Sequence, residues 1–233
     1  MTVGKNDDRQ LGRSGTDDNN IIRNINLEGN YTGSNAVAIS CGKSHTAILL
    51  NNGEVMTAGK NENRQLGRGS TDINGSMDMN GKYDKTNAVA ISCGHNHTAI
   101  LLNTGEVMTV GYNQYGQLGR ADINVGSNSD TIGSMTPAGN YTGSNAVAIS
   151  CGSVYTYILL NTGEVMTVGS NSYGKLGRDS NSGVVDSWPY SNTIGSMDII
   201  RDNPYRGSNV GRLYLDNIFL NLRSLEKLQG AKT

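Results

Sequence analysis

The side chains of this chain that could do acid–base, nucleophilic or metal chemistry are few, and most of them come in copies. His45 and His97 each stand between a Cys-Gly pair and an apolar run, and Cys41, Cys93 and Cys151 open that same pattern three times. Glu54, Glu106 and Glu164 each follow a turn glycine, and Arg13, Arg68, Arg120 and Arg178 each follow Leu-Gly. Histidine pairs suit proton transfer or metal ligation, thiols suit nucleophilic attack, and guanidinium groups suit paired hydrogen bonds to carboxylate or phosphate. A residue copied from unit to unit, however, marks what the framework needs. Tyr155 fills the place of His45 and His97 in the third unit, which removes a shared metal site and leaves the histidines as bonding partners for loop backbone. The glutamates, spread over separate units, read as solvated turn residues. His95 has no counterpart, and one histidine alone in a loop makes no catalyst. No GxSxG, HExxH, P-loop or cysteine-rich zinc pattern occurs, and residues 72–75 (DING) lack the later Glu of a calcium loop. The expectation is a non-enzyme with no catalytic residue, no cofactor and no metal.

The elements that position these residues repeat. Residues 35–68, 87–120 and 145–178 all run NAVAISCG, an apolar stretch, GEVMT and then QLGR or KLGR, and residues 1–13 match only the back half of that unit. In residues 36–41 bulky Val37, Ile39 and Cys41 alternate with small Ala36, Ala38 and Ser40, the pattern of a strand buried between two sheets. The continuous apolar run at 46–50 is too short for a helix and suits a strand covered on both faces. Gly53, Gly105 and Gly163 supply the positive φ of a hairpin turn, so this run pairs antiparallel with the GEVMT strand. A sheet of this size cannot bury its own faces, so the units must stack or close radially.

The order CGxxHT, apolar run, GEV and GxNxxGQLG resembles the repeat of the regulator-of-chromosome-condensation (RCC1) family and covers most of residues 1–200. The resemblance implies an all-β fold of RCC1-type β-propeller blades, each of four antiparallel strands. The fourth strand then comes from the variable stretch holding Gly75-Ser76-Met77, Gly133-Ser134-Met135 and Gly195-Ser196-Met197. Arg9 and Arg64 stand where the family pattern prefers Gly, which bears on loop geometry in two units. The expected organisation is a repeat domain at 1–200, with a half unit at 1–13 and full units at about 30–77, 83–135 and 141–197. Apolar residues at three- and four-residue steps from Leu215 to Leu228 predict an amphipathic helix over 213–229 within a tail at 201–233. About three and a half units fall short of the seven usual in the family. A small ring of four closed by the C-terminus, an incomplete propeller covered by the helix, and a piece of a longer repeat protein all remain open.

With 233 residues a sizeable core needs no disulfide, and the three cysteines, held apart in separate units, are expected free and buried. A formal charge of −1 gives no global pull toward nucleic acid or anionic membrane. Without an apolar run of spanning length or a signal-peptide pattern, the chain is expected intracellular, cytoplasmic or nuclear. Its function is expected to be non-enzymatic: a protein–protein interaction module whose variable loops contact a partner, with self-association through the helix or open blade edges as a further mode. Residues 179–192 depart most from their counterparts and carry Trp188 and Tyr190 around a proline, the residue types enriched in interface hot spots. Arg13, Arg68, Arg120 and Arg178 either form a positive arc on one rim or brace their own loops. These six are the candidate partner-binding residues. The family resemblance makes available a second function, guanine-nucleotide exchange on a small GTPase of the Ran type, and chromatin binding, for which no basic tail is present.

Overall fold

The structure is a computed structural model that describes residues 1–13, 15, 19–23, 25, 29–69, 74–177 and 190–197. A two-stranded antiparallel sheet comes first, β1 (Thr2–Gly4) with β2 (Asn19–Arg23). Three four-stranded antiparallel meanders follow, each drawn from one sequence unit. The first holds β3 (Ala36–Cys41), β4 (His45–Leu50), β5 (Val55–Gly59) and β6 (Asn74–Ser76), and the second β7 (Ala88–Cys93), β8 (His97–Leu102), β9 (Val107–Gly111) and β10 (Ser129–Ser134). The third holds β11 (Ala146–Cys151), β12 (Tyr155–Leu160), β13 (Val165–Ser170) and β14 (Tyr190–Ser196). These are propeller blades whose first strands lie beside one another, with the Cys93 N–H donating to Ser40 Oγ at 2.9 Å and the Cys151 N–H to Ser92 Oγ at 2.8 Å. β1 and β2 match the third and fourth strands of a blade, so the described chain is half a blade followed by three. The helix expected over 213–229 lies outside the described residues, as does the rest of the tail.

The core sits between blades. Ala47, Leu49 and Val55 of the first blade pack against Ile100, Leu102 and Cys93 of the second, and Ala99, Leu101 and Val107 against Ile158, Leu160 and Ile149 of the third. A tyrosine from each following linker reaches back: the Val55 N–H donates to Tyr83 Oη at 2.8 Å and the Val107 N–H to Tyr141 Oη at 2.9 Å. The third blade is different, with Tyr157 where the others have Ala47 and Ala99, its ring 5.1 Å from that of Tyr155 and both buried with Leu176. Truncation of a buried ring of this size leaves a cavity, so Tyr157→Ala is expected to cost about 3 kcal/mol in urea denaturation, whereas an unchanged midpoint would place the ring outside the core.

Two expectations about burial are corrected. The strand at 36–41 is not buried in every unit: Val37 and Ile39 are each 55% exposed, whereas Ile149 of the third blade is 4% exposed. Ile39 faces the half blade, which among the described residues has no first and second strands to cover it, whereas Val89, which follows a complete blade, is still 42% exposed. The cysteines are free, yet only Cys93 is buried, Cys151 being half-buried and Cys41 exposed.

The loop geometry put in question by Arg9 and Arg64 is kept. Both take the left-handed backbone, φ 57° and 66°, that Gly116 and Gly174 take at the same place at 74° and 66°. A side chain in that region costs about 1 kcal/mol relative to glycine. Arg64→Gly is therefore expected to raise stability by about 0.5–1 kcal/mol, read as a higher thermal midpoint; a lower midpoint would mean that the Arg64 side chain earns its strain through contacts.

Candidate interaction surface

Two kinds of connection meet at one end of the blades. The turns at 42–44, 94–96 and 152–154 link first to second strands, and the loops that leave β5, β9 and β13 start beside them. The Lys60 N–H donates to Ser44 O at 2.8 Å, the Tyr112 N–H to Asn96 O at 2.9 Å and the Ser170 N–H to Val154 O at 3.0 Å. The turns are also chained across blades, Lys43 N–H to His95 O at 3.1 Å and His95 N–H to Ser153 O at 3.0 Å. Between them lies a shallow depression of about 250 Å³ lined by Cys41, Lys43, Cys93, His95, Cys151 and Ser153. Burial pushes the Cys93 thiol up to about 12 and the Cys151 thiol up to about 11, so neither supplies a thiolate at neutral pH.

The copied residues hold this end rigid. The threonine that opens each second strand donates to the carbonyl of the preceding loop: Thr46 to Gln10 at 2.7 Å, Thr98 to Gln65 at 2.7 Å and Thr156 to Gln117 at 2.8 Å. With its proton so used, Thr98 accepts from His45 Nε2 at 3.0 Å and Thr156 from His97 Nε2 at 3.1 Å, which fixes the Nε2–H tautomer. Each imidazole lies against the Gly of its Cys-Gly pair: a Cβ on Gly42 would stand 2.2 Å from the His45 ring, and one on Gly94 2.0 Å from the His97 ring. Within each loop an asparagine and a glutamine close the turn, as where Asn113 Oδ1 takes the Leu118 N–H at 3.0 Å and Gln117 Oε1 the Tyr115 N–H at 2.9 Å.

The copied acids and arginines also serve the frame. Glu54 and Glu106 are not solvated turn residues but buried, 2% and 3% exposed. Each takes a hydroxyl hydrogen bond from the serine of the fourth strand, Ser76 and Ser134, as Glu164 does from Ser196. That bond, with another from Asn140, holds the Glu164 carboxyl below the usual range. Arg68 and Arg120 are 3% and 6% exposed. Arg120 donates to Thr109 O, Ser129 Oγ and Thr131 O and pairs with Asp122 at 2.6 Å. At these two positions the guanidinium groups brace their own blades and do not form a displayed arc. Arg13 is half-buried. Arg178 and Trp188 lie outside the described residues, and Tyr190 is placed by its backbone, paired with Ser170 at this same end.

Three residues that the sequence reading did not single out lie here, Tyr173 exposed and Tyr112 and Tyr115 half-buried. Tyr173 is 96% exposed, with Lys175 Nζ 5.6 Å from its ring centroid. Tyr112 and Tyr115 meet edge to face at 6.4 Å. They were findable, because Tyr112, Tyr115 and Tyr173 occupy loop columns that differ between otherwise near-identical units.

A radial set of four-stranded meanders with rigid copied turns and variable loops at one end defines a β-propeller repeat protein. The signature described as regulator of chromosome condensation (RCC1) repeat matches residues 36–65, 88–117 and 146–175, and a second signature of the same description matches residues 2–49 and 52–101. The chain belongs to the RCC1 repeat family. It is 32% identical over 150 residues to the protein RCC2 homolog of Danio rerio, covering 62% of this chain and 29% of that protein. It is 32% identical over 150 residues to the X-linked retinitis pigmentosa GTPase regulator homolog of Caenorhabditis elegans, covering 64% of this chain and 10% of that protein. The chain thus spans less than a third of these curated relatives. Among solved structures, human WBSCR16 superposes with a TM-score of 0.66 at 22% identity over 83% of this chain and 48% of that one. Yeast RCC1 (Prp20), solved bound to Kap60, superposes with a TM-score of 0.60 at 19% identity over 74% of this chain and 39% of that one. Both likenesses concern the fold. Among the described residues no helix is long and apolar enough to cross a membrane.

Proposed function

We propose that this chain is a protein-interaction module that engages a protein partner through the loop end of its blades. One observation carries the reading: within residues 35–68, 87–120 and 145–178, most of the columns that differ between the three units gather at that end. Lys43, His95 and Ser153 differ in the turns, and Lys60, Tyr112 and Ser170, with the residues after them, differ in the loops. Loops varied over a fixed scaffold are where repeat proteins place recognition, and an exposed tyrosine such as Tyr173 is suited to it. β13 ends and β14 begins at this end, Ser170 being paired with Tyr190, and Tyr190 with Trp188, close to it in sequence, is included in the proposed contact region. A near-neutral net charge favours a protein over a nucleic acid as the occupant.

A photo-crosslinking residue at position 173 or 114 is expected to trap protein adducts in cell extract that one at position 52, at the opposite end, does not. Equal trapping at both ends overturns the assignment. The second reading, guanine-nucleotide exchange on a small GTPase of the Ran type, is supported by the relative named as a GTPase regulator and by the structure of Prp20p from Saccharomyces cerevisiae, described together with its binding properties to Gsp1p and histones. It requires faster release of fluorescent GDP from such a GTPase in the presence of the chain, with the rate falling in a Tyr112→Ala, Tyr173→Ala variant. Unchanged release restricts the chain to binding alone.

A further inference from the structure

Among the described residues four other than glycine take the left-handed backbone, and three of them lie at the loop end: Arg9 at φ 57°, Tyr173 at 65° and Arg64 at 66°. Arg9 and Arg64 stand in the column that Gly116 and Gly174 fill in the other units, so the strain belongs to the side chain chosen and not to the path of the loop. At Tyr173 the cause can be followed. In each of the other three loops a glutamine accepts the N–H of the residue two places before it, Gln10 from Asp8 at 3.0 Å, Gln65 from Asn63 at 2.9 Å and Gln117 from Tyr115 at 2.9 Å. Lys175 stands in that column and has no acceptor to offer. Tyr173 is left-handed where Tyr115 is not, and Lys175 Nζ lies 5.6 Å from the Tyr173 ring centroid and 5.8 Å from that of Tyr155. A bond that closes the other loops has been exchanged for a cation held on two rings.

The charges of this end agree with its strain. The loops at 4–10, 59–65, 111–117 and 169–175, with the three turns beside them, carry six lysine or arginine side chains against three carboxylates, in a chain whose net charge is −1. Lys5 and Lys60 are neutralised within their own loops, by Asp7 at 3.0 Å and Glu62 at 2.9 Å. Arg9, Lys43, Arg64 and Lys175 pair with no carboxylate among the described residues. We propose that the partner engaged by the loop end is an acidic protein segment whose carboxylates meet Arg64 and Lys175, on either side of the loop that carries Tyr112 and Tyr115. Arginine takes a carboxylate through paired N–H donors and lysine as a point charge. A nucleic acid fits less well, because Asp7, Asp8 and Glu62 lie among the cations and repel a phosphate chain. The assignment rests on the reading of this end as an interaction surface and adds the chemistry of what binds there.

The probe is N-acetylated hexaglutamate amide, titrated into the full chain at low salt. Saturable binding is expected, weakened about tenfold in an Arg64→Gly, Lys175→Gln variant. Both changes install the residue that a sister unit carries at that place, so the fold is kept, and an unaltered circular dichroism spectrum checks this. Lys85→Gly relieves the same backbone strain at φ 67°, beside the Gly53 turn at the opposite end, and is expected to leave binding unchanged. The proposal is overturned by the absence of saturable binding, by binding that survives the double variant, or by an equal loss in Lys85→Gly. Tighter binding of hexathymidylate than of the peptide overturns it as well, since the cations then serve a nucleic acid. Protein adducts trapped at position 173 and undiminished in the double variant overturn the acidic assignment while the interaction reading stands.

Discussion

Between pH 7 and pH 5 the folded chain is expected to lose about 4 kcal/mol of stability, about 2 from each of His45 and His97. Burial first, and then the charge of neighbouring histidines, lowers the His45 imidazole to about 4 and the His97 imidazole to about 3. Each ring spends its Nε2–H on a threonine of the next blade, while Nδ1 is buried with no partner. A second proton would have to enter at Nδ1, against the Gly42 or Gly94 backbone. In the unfolded chain both histidines take up a proton near pH 6.5. Below that pH the unfolded state binds protons that the folded state refuses, so stability is full above about 6.5 and falls until the folded values are reached. Urea denaturation at pH 7.5, 6 and 5 reads the slope directly. In a His45→Gln, His97→Gln variant the amide still donates to the threonine, so stability at pH 7.5 is lower but the loss down to pH 5 is small. An equally steep loss in that variant would assign the acid sensitivity to other groups. A separate limb at lower pH is expected from Asp122 and Glu164, whose carboxyls the Arg120 and Ser196 hydrogen bonds hold below their usual range.

Much of this geometry could be read from self-comparison of the units. The first three strands and the turn at Gly53 follow from period and turn chemistry, because each is local, whereas the fourth strand at Gly-Ser-Met was reached only through what the family resemblance implies. The exposed face of β3 did not follow, since residues 36–41 have the same sequence in all three units and only the neighbour differs. Burial there is set by what stands beside the strand, which no residue within it encodes. Glu54 and Glu106 misled for a related reason: a glutamate after a turn glycine is normally solvated, and the serine bonded to it lies 22 residues on for Glu54 and 28 for Glu106. The arginines were ambiguous in sequence because bracing and display use the same residue. What decides between them at Arg120 is Gly133, which gives the guanidinium room.

Gly133→Ala is accordingly expected to destabilise the chain by about 2–4 kcal/mol although it adds a single methyl group. A Cβ at this position would lie 2.4 Å from Arg120 Cζ and Nη2 and 2.7 Å from Nη1. Gly133 has no left-handed backbone to relieve, unlike Gly75 at φ 146°, so the cost isolates the steric conflict. The guanidinium can yield only by abandoning Thr109 O, Ser129 Oγ and Thr131 O, at 3.2, 3.0 and 2.9 Å, in a place largely closed to solvent, Arg120 being 6% exposed. Arg120→Ala alone removes the same bonds and leaves a cavity, at a cost of about 2–3 kcal/mol. The two changes act on one contact, so the double variant is expected to cost less than their sum by about 1–3 kcal/mol. The alanine methyl then occupies space that the arginine has left. Strictly additive costs would show that Gly133 matters for the strand itself. The guanidinium would then be free to leave its blade, and an arc of cations available to a partner would again have a physical basis.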